Sequence, residues 1–514
     1  MRAVVSSAHP IATAVGVEIL SRGGSAFDAA VAVSFALTVV ESDQSSAITG
    51  DGFGLFRIAE TGEIRAADWS SRTPLSPRFA ERVTEIRDPL GPLSIQAPSA
   101  LAGVLDVHRE LGTMPLADLL APAISYAENG FPVSVPLHAA IANRTDIFRR
   151  HPHTARNFLV DGEAAPVGAT ITFPELAATL RAISAEGKEI FYKGRIAQQI
   201  LAFVDEIGGV LTQADLDLAA KAPIWSLPVS TTYRGYRISA VPPVAGGIPL
   251  LLAMNILEGF DFSDLSEVER THVLAETCKL MFIDMDDYFG DPDFVDLPIE
   301  LLLSKEFATR RRAAIRFDQL LPWTAPGGLH DEDANTTHFN VIDDRGNIAA
   351  ITQTRSEWGL KTPVGNTGIF LHNGLRLLST DPGHPMFAGR PGMRLQKSMT
   401  PVIVLDANGQ PVMALGAAGV RRITQAIVQV AINHLDLGLN AQAAIDAPRL
   451  SYASRYEALT MSAHYQPAVV QALAEMGHEI VTGTSARVQA ITINPETRSL
   501  TGGADVFGAA AGLP

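Results

Sequence analysis

Cysteine is nearly absent from this sequence. Cys278 is the single cysteine among 514 residues, which excludes an intramolecular disulfide and a cysteine-rich metal site. The one tight histidine pair, in His151-Pro152-His153, lies in a polar stretch and is better explained as surface decoration than as a ligand pair. The HExxH spacing is missing as well, so we predict no metal site.

Long apolar runs are also missing. The longest, residues 29–40, contains Ser34 and Thr38 and is shorter than the roughly 20 residues that a membrane span needs, so we expect no membrane partner. Residues 26–40 instead predict an almost wholly apolar, buried helix. The N-terminus has no uninterrupted apolar core followed by a small-residue cleavage site, and we expect a cytoplasmic protein.

Basic residues are fewer than acidic ones. Lys and Arg number 40 against 55 Asp and Glu, giving a net charge of -15. An acidic surface repels phosphate backbones, and the one basic cluster, 310–312, is too short to reverse this beyond its own neighbourhood. We therefore expect no nucleic-acid partner.

Nothing in the composition indicates disorder. The 42 glycines and 32 prolines are close to the usual background, and hydrophobic residues make up 47% of the chain. At roughly 150 residues per domain the length favours three domains, but stacked α/β layers can absorb such a chain as one large unit. One or two domains both stay open.

The glycine turns do not complete a nucleotide-binding motif. Gly416-Ala417-Ala418-Gly419 lies between a predicted strand, 412–415, and a predicted helix, 422–436. A strand, glycine turn and helix in this order can bind negative charge. The third glycine and the following Lys-Ser/Thr are missing, so we expect no nucleotide cofactor, while a backbone anion cradle stays open.

The chain changes character shortly before residue 336. Residues 316–333 are the least periodic in the sequence and predict an exposed loop. Strands are predicted directly afterwards over 337–342 and 348–354, joined by a turn at 343–347. A polar loop is thus followed by a hairpin that begins at a threonine.

Two interpretations fit Asn335-Thr336-Thr337-His338-Phe339 at this junction. Threonine favours strands, so these can be ordinary strand residues. Alternatively, the Asn335–Thr336 bond is cut autocatalytically and Thr336 becomes a new N-terminus. Its hydroxyl is then the nucleophile and its α-amine, with a pKa near about 7.7 to 8.0, is the base. One residue would fill both roles, without a Ser-His-Asp triad.

The second interpretation gains weight from motifs that resemble those of the γ-glutamyltranspeptidase family, which are N-terminal-nucleophile hydrolases. The resemblance covers essentially the whole chain. In order, the motifs are Ser6–Thr13, Gly23–Ala30, Gly50–Phe53, Pro98–Gly103, Tyr126–Phe131, Phe191–Gly194, Gly290–Val295, Thr336–Phe339, Lys397–Pro401 and Asp446–Arg449. Each motif is modest alone, but together and in order they favour Thr336 as the nucleophile.

The resemblance implies a fold and a catalytic set. The fold is α+β, a four-layer αββα sandwich of the N-terminal-nucleophile type. Cleavage would leave a large subunit, 1–335, and a small subunit, 336–514, in one intertwined unit. Thr354 matches the second threonine that holds the nucleophile's amine and hydroxyl. Gly419 matches the first oxyanion-hole glycine, and the second is Val420, which keeps its N–H but demands negative φ, so we expect an altered hole.

Substrate-binding positions depart from the family pattern. The arginine that binds the glutamyl α-carboxylate is Ser70 here, with Arg72 two places on, and a family asparagine is Ser356. Ser398 of the serine pair is kept, but the first serine is Lys397. Asn373 is followed by 374–377, Gly-Leu-Arg-Leu, where the family has acidic residues for the α-amino group. Segment 379–392 is short relative to family members with a lid, implying an open pocket.

These departures shape the functional expectation. The family default is hydrolysis or transfer of a γ-glutamyl amide through an acyl-enzyme, with a small-molecule amide substrate and no cofactor. Loss of the acidic partner and gain of Arg376 and Lys397 suit an anionic acyl group without an amine better. The alternatives are a cephalosporin-acylase-like or oxamate-amidohydrolase-like amidohydrolase, or a catalytically silent binding protein of the same fold. A dimer of heterodimers stays open.

Overall fold

The fold is described from a computed structural model that covers residues 1–323, 335–454 and 457–514. Most of the loop predicted over 316–333, residues 324–333, lies outside the described residues. Residues 316–323 contain a bridge between Arg316 and Gln319 but no helix. Across the described part of the chain, no helix is both long and apolar enough to cross a membrane.

Strands and helices are distributed along the whole length of the described chain. The strands are β1 Ala3–Ser7, β2 Asp51–Arg57, β3 Ile64–Asp68, β4 Phe131–Pro132, β5 Leu159–Val160, β6 Glu163–Ala164, β7 Thr170–Ile171, β8 Ile224–Ser226, β9 Val229–Tyr233, β10 Tyr236–Ala240, β11 Thr336–Ile342, β12 Ile348–Thr354, β13 Val402–Leu405, β14 Pro411–Ala418, β15 Leu450–Ser451, β16 Leu459–Met461, β17 Ile480–Thr482, β18 Arg487–Ile493, β19 Leu500–Ala504 and β20 Ala509–Leu513. The α-helices are α1 Pro10–Ser21, α2 Ala26–Val40, α3 Pro77–Glu81, α4 Ala100–Leu111, α5 Leu116–Asn129, α6 Val135–Ala142, α7 Thr145–Phe148, α8 Pro152–Phe158, α9 Pro174–Glu186, α10 Glu189–Tyr192, α11 Arg195–Glu206, α12 Gln213–Ala219, α13 Gly247–Leu257, α14 Glu267–Tyr288, α15 Ile299–Leu303, α16 Lys305–Arg312, α17 Arg422–Leu435, α18 Ala441–Asp446 and α19 Pro467–Glu475.

Two antiparallel sheets form the middle of the molecule. One has the strand order β20-β1-β11-β12-β2-β3-β8, and the other has the order β19-β18-β14-β13-β10-β9. Helix α2 packs on β11 and β12 of the first sheet, whereas α13 and α17 pack on the second. The sheets contact each other through β11, β12, β14 and β18. The predicted αββα sandwich is therefore confirmed.

Helix α2 is the buried element that its composition predicts. All fifteen of its residues are buried, and Ser25 and Asp28 form a capping box at its N-terminus. The Asp28 carboxylate also accepts hydrogen bonds from the Thr113 hydroxyl and two backbone N–H groups. The burial of so apolar a helix fixes one outer layer against the first sheet.

The predicted hairpin is present, and the two faces of β11 contact different layers of the molecule. Phe339 and Val341 belong to the core that α2 covers. The alternate residues face the second sheet: the Asn340 amide donates to the Gln489 carbonyl of β18 over 2.9 Å. His338 packs so closely against Gly416 that a Cβ added there would lie 2.3 Å from its ring. Because side chains alternate along a strand, Thr336 shares this inner face.

Segments from both sides of residue 335 are interleaved in the sheets. In the first sheet, β11 and β12 lie between β1 and β2, and β20 forms an edge beside β1. In the second, β9 and β10 pair with β13 through β10. Strands 336–514 therefore have hydrogen-bond partners in 1–335, and neither part holds a complete sheet alone.

A buried ion cluster also joins the two parts. The Arg394 guanidinium donates to Asp291 Oδ1 over 2.7 and 3.1 Å and to Asp68 Oδ2 over 3.0 Å. Arg394 is only 6% exposed. Removing one member of such a cluster leaves its partners buried and uncompensated, which costs more than the loss of an exposed pair.

We expect Arg394→Met to lower the free energy of unfolding by about 3–5 kcal/mol, because two buried carboxylates lose their cation. The matched control is Arg149→Met, whose ion pairs with Asp146 and Glu163 are exposed, and which should cost less than about 1 kcal/mol. Urea unfolding of both variants, followed by circular dichroism, measures the difference. Equal losses would contradict a stabilising role of the buried cluster.

Candidate active site

Two threonine hydroxyls face each other at the ends of β11 and β12. Thr336 is the first residue of β11 and is directly opposite Thr354, the last residue of β12. The Thr336 hydroxyl donates to Thr354 Oγ1 over 3.2 Å, and both residues are 4% exposed. The sheet register itself therefore brings the two predicted catalytic hydroxyls together.

The peptide bond before Thr336 is held from several sides. The Thr354 hydroxyl donates to the carbonyl oxygen of Asn335 and accepts from the Thr336 hydroxyl, so it contacts both residues of this bond. The Asn335 side-chain amide donates to the Asp43 carbonyl over 3.4 Å. The Arg487 guanidinium donates to the Thr336 carbonyl, also over 3.4 Å. These contacts fix the predicted cleavage site on both sides of its carbonyl.

Beside Arg487 lies a buried acid with an unusual pKa. Glu41 is 6% exposed, and its carboxylate is 3.7 Å from the Arg487 guanidinium. Burial raises the Glu41 pKa to about 7, although the Arg487 charge opposes the shift. The turn that carries Glu41 and Asp43 thus places a group that titrates near neutral pH close to the cleavage site.

A pocket of about 700 Å³ opens at the threonine pair. Its described lining residues are Met285, Thr336, Thr354, Leu377, Leu378, Met386, Gln396, Lys397, Ser398, Met399, Val420, Arg421 and Ile423. Most of this wall is apolar, while the charged groups among these residues are cationic. No carboxylate is among the described lining residues.

The turn from β14 into α17 forms one edge of the pocket. Gly419 has φ 146° and Val420 has φ 56°. The sequence-based expectation that Val420 takes negative φ is therefore wrong. A Cβ on Gly419 would lie 2.8 Å from Ala486, so the chain has little freedom there, and α17 begins at once through Arg422, whose N–H donates to the Gly419 carbonyl. Val420 therefore adopts the left-handed backbone conformation at this turn, which is unfavourable for a β-branched residue.

Of the predicted substrate-binding residues, Lys397 and Ser398 line this pocket, whereas the others do not. Ser356 is buried, and its backbone N–H donates to His372 Nδ1 over 3.1 Å. The Asn373 amide donates to the carbonyl oxygens of Pro89 and Gly359. Both residues therefore support the backbone behind the pocket in this structure.

Arg72 lies in a different cavity. Its guanidinium donates to the Gly392 carbonyl over 2.7 Å and lies 3.8 Å from Asp293. Together with Asp68, Lys221 and other residues it lines a second cavity of about 700 Å³. Lys397 rather than Arg72 thus shares the pocket with Thr336, where Arg421 is the other cationic lining residue.

Asp51 is a site residue to which the sequence analysis gave no role. It lies opposite Thr354 in the β2–β12 register, so three adjacent strands carry Thr336, Thr354 and Asp51 in one row. Its Oδ2 is 3.6 Å from Lys397 Nζ and accepts from Gln96 over 3.0 Å. Burial raises the Asp51 pKa, and Lys397 opposes the shift. The visible signal was a carboxylate between two glycines in Gly50-Asp51-Gly52.

His372 completes this buried group. Its Nε2 is 3.8 Å from Asp51 Oδ2, and its side chain is 1% exposed. Burial lowers its pKa well below the usual value, and the neighbouring charge of Lys397 lowers it further. His372 is therefore neutral at physiological pH, and Lys397 is the partner that neutralises Asp51.

The fold and this threonine site are those of the class of N-terminal-nucleophile hydrolases. The family described as Gamma-glutamyltranspeptidase matches residues 12–513. The chain belongs to the γ-glutamyltranspeptidase family, and it is an enzyme that acts on amide bonds.

Relatives within the family carry the names of different activities. The Acylase ACY 1 proenzyme of Pseudomonas sp. (strain SE83) is 33% identical over 98% of this chain and 92% of its own length. The glutathione hydrolase proenzyme of Escherichia coli (strain K12) is 32% identical over 96% and 88%. The crystal structure of cephalosporin acylase from Bacillus halodurans has a TM-score of 0.90 and 32% identity, covering 100% of this chain and 96% of that one.

Val420→Gly should relieve the positive-φ conformation and keep the backbone N–H. We expect the free energy of unfolding to rise by about 1 kcal/mol, with amide turnover retained, because glycine adopts this φ without steric cost. Thermal unfolding and a steady-state assay of the variant test this. A clear loss of stability would mean that the Val420 side chain contributes more by packing than its backbone costs.

Proposed function

We propose that the chain cleaves its own Asn335–Thr336 bond and then uses Thr336 as an N-terminal nucleophile against an amide substrate. The observation that carries the proposal is the hydroxyl relay from Thr336 through Thr354 to the Asn335 carbonyl. The same two hydroxyls serve maturation and turnover. Cleavage would yield 1–335 and 336–514 as large and small subunits.

Maturation requires two steps. The Thr336 hydroxyl oxygen attacks the Asn335 carbonyl carbon, the C–N bond breaks, and the amide nitrogen gains a proton to become the free α-amine. The resulting ester joins Asn335 to Thr336 Oγ1, and water hydrolyses it to a carboxylate and a free hydroxyl. Thr354 supports the first step because its hydroxyl donates to the carbonyl on which negative charge develops.

Turnover follows the same chemistry with a substrate amide. The new α-amine of Thr336 accepts the hydroxyl proton as the oxygen attacks, and later returns it to the leaving amine. We assign the oxyanion to the backbone N–H groups of Gly419 and Val420, on the turn that borders the pocket. Water or an acceptor amine then releases the acyl group from Thr336.

For the acyl group, we infer an anionic acyl amide that does not need an α-ammonium group. Lys397 offers a cation within the pocket, while Leu377, Leu378 and Met386 offer apolar surface to an acyl chain. A γ-glutamyl amide such as glutathione, the substrate in the name of the Escherichia coli relative, is the second candidate. Family membership favours the γ-glutamyl amide. The apolar and cationic lining of the pocket favours the anionic acyl amide.

The assembly of the subunits and the cellular location of the protein are predictions from the sequence. Interleaved strands would keep the two subunits together after cleavage, because each supplies hydrogen-bond partners to the other. A dimer of such heterodimers and a cytoplasmic location are expectations that size-exclusion chromatography and cell fractionation can test.

Substitutions of the threonine pair test self-cleavage. Thr336→Ala should remain one chain, Thr336→Ser should be cut, and Thr354→Ala should be cut about 10²-fold more slowly, because the carbonyl loses its donor. The exposed Thr497→Ala is the matched control and should be cut at the wild-type rate. Denaturing gels over a time course measure conversion. A cut Thr336→Ala chain would refute the proposed nucleophile.

Substitution of Lys397 tests the acyl preference. For an anionic acyl amide such as a glutaryl amide, Lys397→Met should raise KM about 10-fold or more with little change in kcat, since a charge-assisted contact is lost. Arg72→Met, which alters the second cavity, is the matched control. Release of carboxylate from glutaryl and γ-glutamyl amides measures both. An effect of Arg72→Met alone would move the carboxylate site to that cavity.

A further inference from the structure

A cluster far from the threonine pair in sequence has the side chains of a metal site. His272 and Glu276 lie four residues apart on α14, and therefore on one face of that helix. His478 joins them from the segment between α19 and β17. One ligand atom from each residue lies within 4.8 Å of the other two. His272 and Glu276 are 0% exposed and His478 is 5% exposed.

The hydrogen bonds fix which atoms are available to a ligand. The His272 Nε2–H donates to the Arg316 carbonyl over 2.7 Å, so its Nδ1 carries a lone pair. That Nδ1 is 2.9 Å from His478 Nε2, which must be the donor between them. The other ring nitrogen of His478 is 3.5 Å from the Tyr452 hydroxyl. The two histidine nitrogens that face each other are thus a donor, His478 Nε2, and an acceptor, His272 Nδ1.

The outer contacts are those that metal ligands usually have. A ligating histidine commonly donates its second N–H to a carbonyl or another oxygen, which holds its orientation. Arg316 and Tyr452 provide such oxygens for the two histidines. Glu276 Oε2 accepts from the Leu321 N–H, while its Oε1 accepts no hydrogen bond and only faces Lys279. Two imidazoles and a carboxylate match the ligand set of zinc.

We propose that His272, Glu276 and His478 form a binding site for a zinc-like divalent cation. His272 Nδ1, His478 Nε2 and a Glu276 oxygen are the three ligands, and water fills the fourth position. On binding, the His478 proton moves from Nε2 to Nδ1, where the Tyr452 oxygen accepts it. This proton moves within the His478 ring, so none needs to leave the cluster.

The site joins parts of the chain on both sides of residue 335. His272 and Glu276 belong to 1–335, whereas His478 belongs to 336–514. Arg316 and Leu321, which contact the cluster, lie shortly before the cleavage site. The ion would therefore tie the segment before residue 335 to the later part of the chain. Only this bridging role depends on the proposed cleavage, because ion binding itself does not require a cut chain.

Lys279 sets the expected affinity. Its ammonium is 2.8 Å from Glu276 Oε1 and is 3% exposed, so it competes electrostatically with a bound cation. Lys279→Met should therefore tighten binding about tenfold or more. Residues 316–319 are all exposed, and the Arg316 carbonyl contacts His272, so this segment extends from the cluster to solvent.

The experiment measures zinc bound per chain after equilibration with zinc chloride and removal of free metal. We expect about one zinc per chain in the wild type and in the uncut Thr336→Ala chain, but none in His478→Ala. The matched control is His153→Ala, which removes an exposed histidine and should keep the zinc. Free zinc at about a hundredfold its Kd should raise Tm by about 2 °C in the wild type, Thr336→Ala and His153→Ala, but not in His478→Ala.

Two further readouts keep the result decisive if His478→Ala does not fold. Cobalt bound to the wild type should give the visible absorption of tetrahedral histidine coordination, and Glu276→Gln should weaken zinc binding at least tenfold. A wild-type chain that holds no zinc, or a folded His478→Ala chain that holds as much, overturns the proposal. Because Thr336→Ala is included, failure of self-cleavage and failure of metal binding are distinguished.

Discussion

Antiparallel register between β11, β12 and β2 is the constraint on which this site depends. It sets Thr336 opposite Thr354, and Thr354 opposite Asp51, at one end of the first sheet. A shift of one residue would turn these side chains toward α2 and bring hydrophobic residues such as Phe339 between the sheets. The pairing of His338 with Thr352 and of Asn340 with β18 holds the register against such a shift.

Burial gives the site its electrostatic character. Asp51 and His372 are almost fully buried, so each avoids charge unless a neighbour compensates it. Lys397 compensates Asp51 and at the same time lines the pocket, so one ammonium serves the buried acid and faces the substrate space. A substitution of Lys397 or Asp51 would therefore alter both the charge of the pocket and the stability of the strand end that carries Asp51.

Sequence patterns predicted the elements whose cause is local. The apolar run of α2, the hairpin after the polar loop, and the helix after Gly419 follow from periodicity and turn residues alone. The threonine pair was predicted through the family resemblance. The ion pair of Asp51 with Lys397, 346 positions apart, depends on tertiary packing that no local pattern encodes. The positive φ of Val420 was missed because residue preference suggested the opposite and packing at Gly419 overrides it.

Whether the chain breaks at a defined bond is decided by intact-mass measurement of the purified wild-type protein, together with N-terminal sequencing of its fragments. We expect two fragments, 1–335 and 336–514, and the smaller one to begin Thr-Thr-His-Phe with a free α-amine. An unbroken chain after prolonged incubation that still hydrolyses amides, or a fragment that begins at another residue, would contradict Thr336 as the nucleophile.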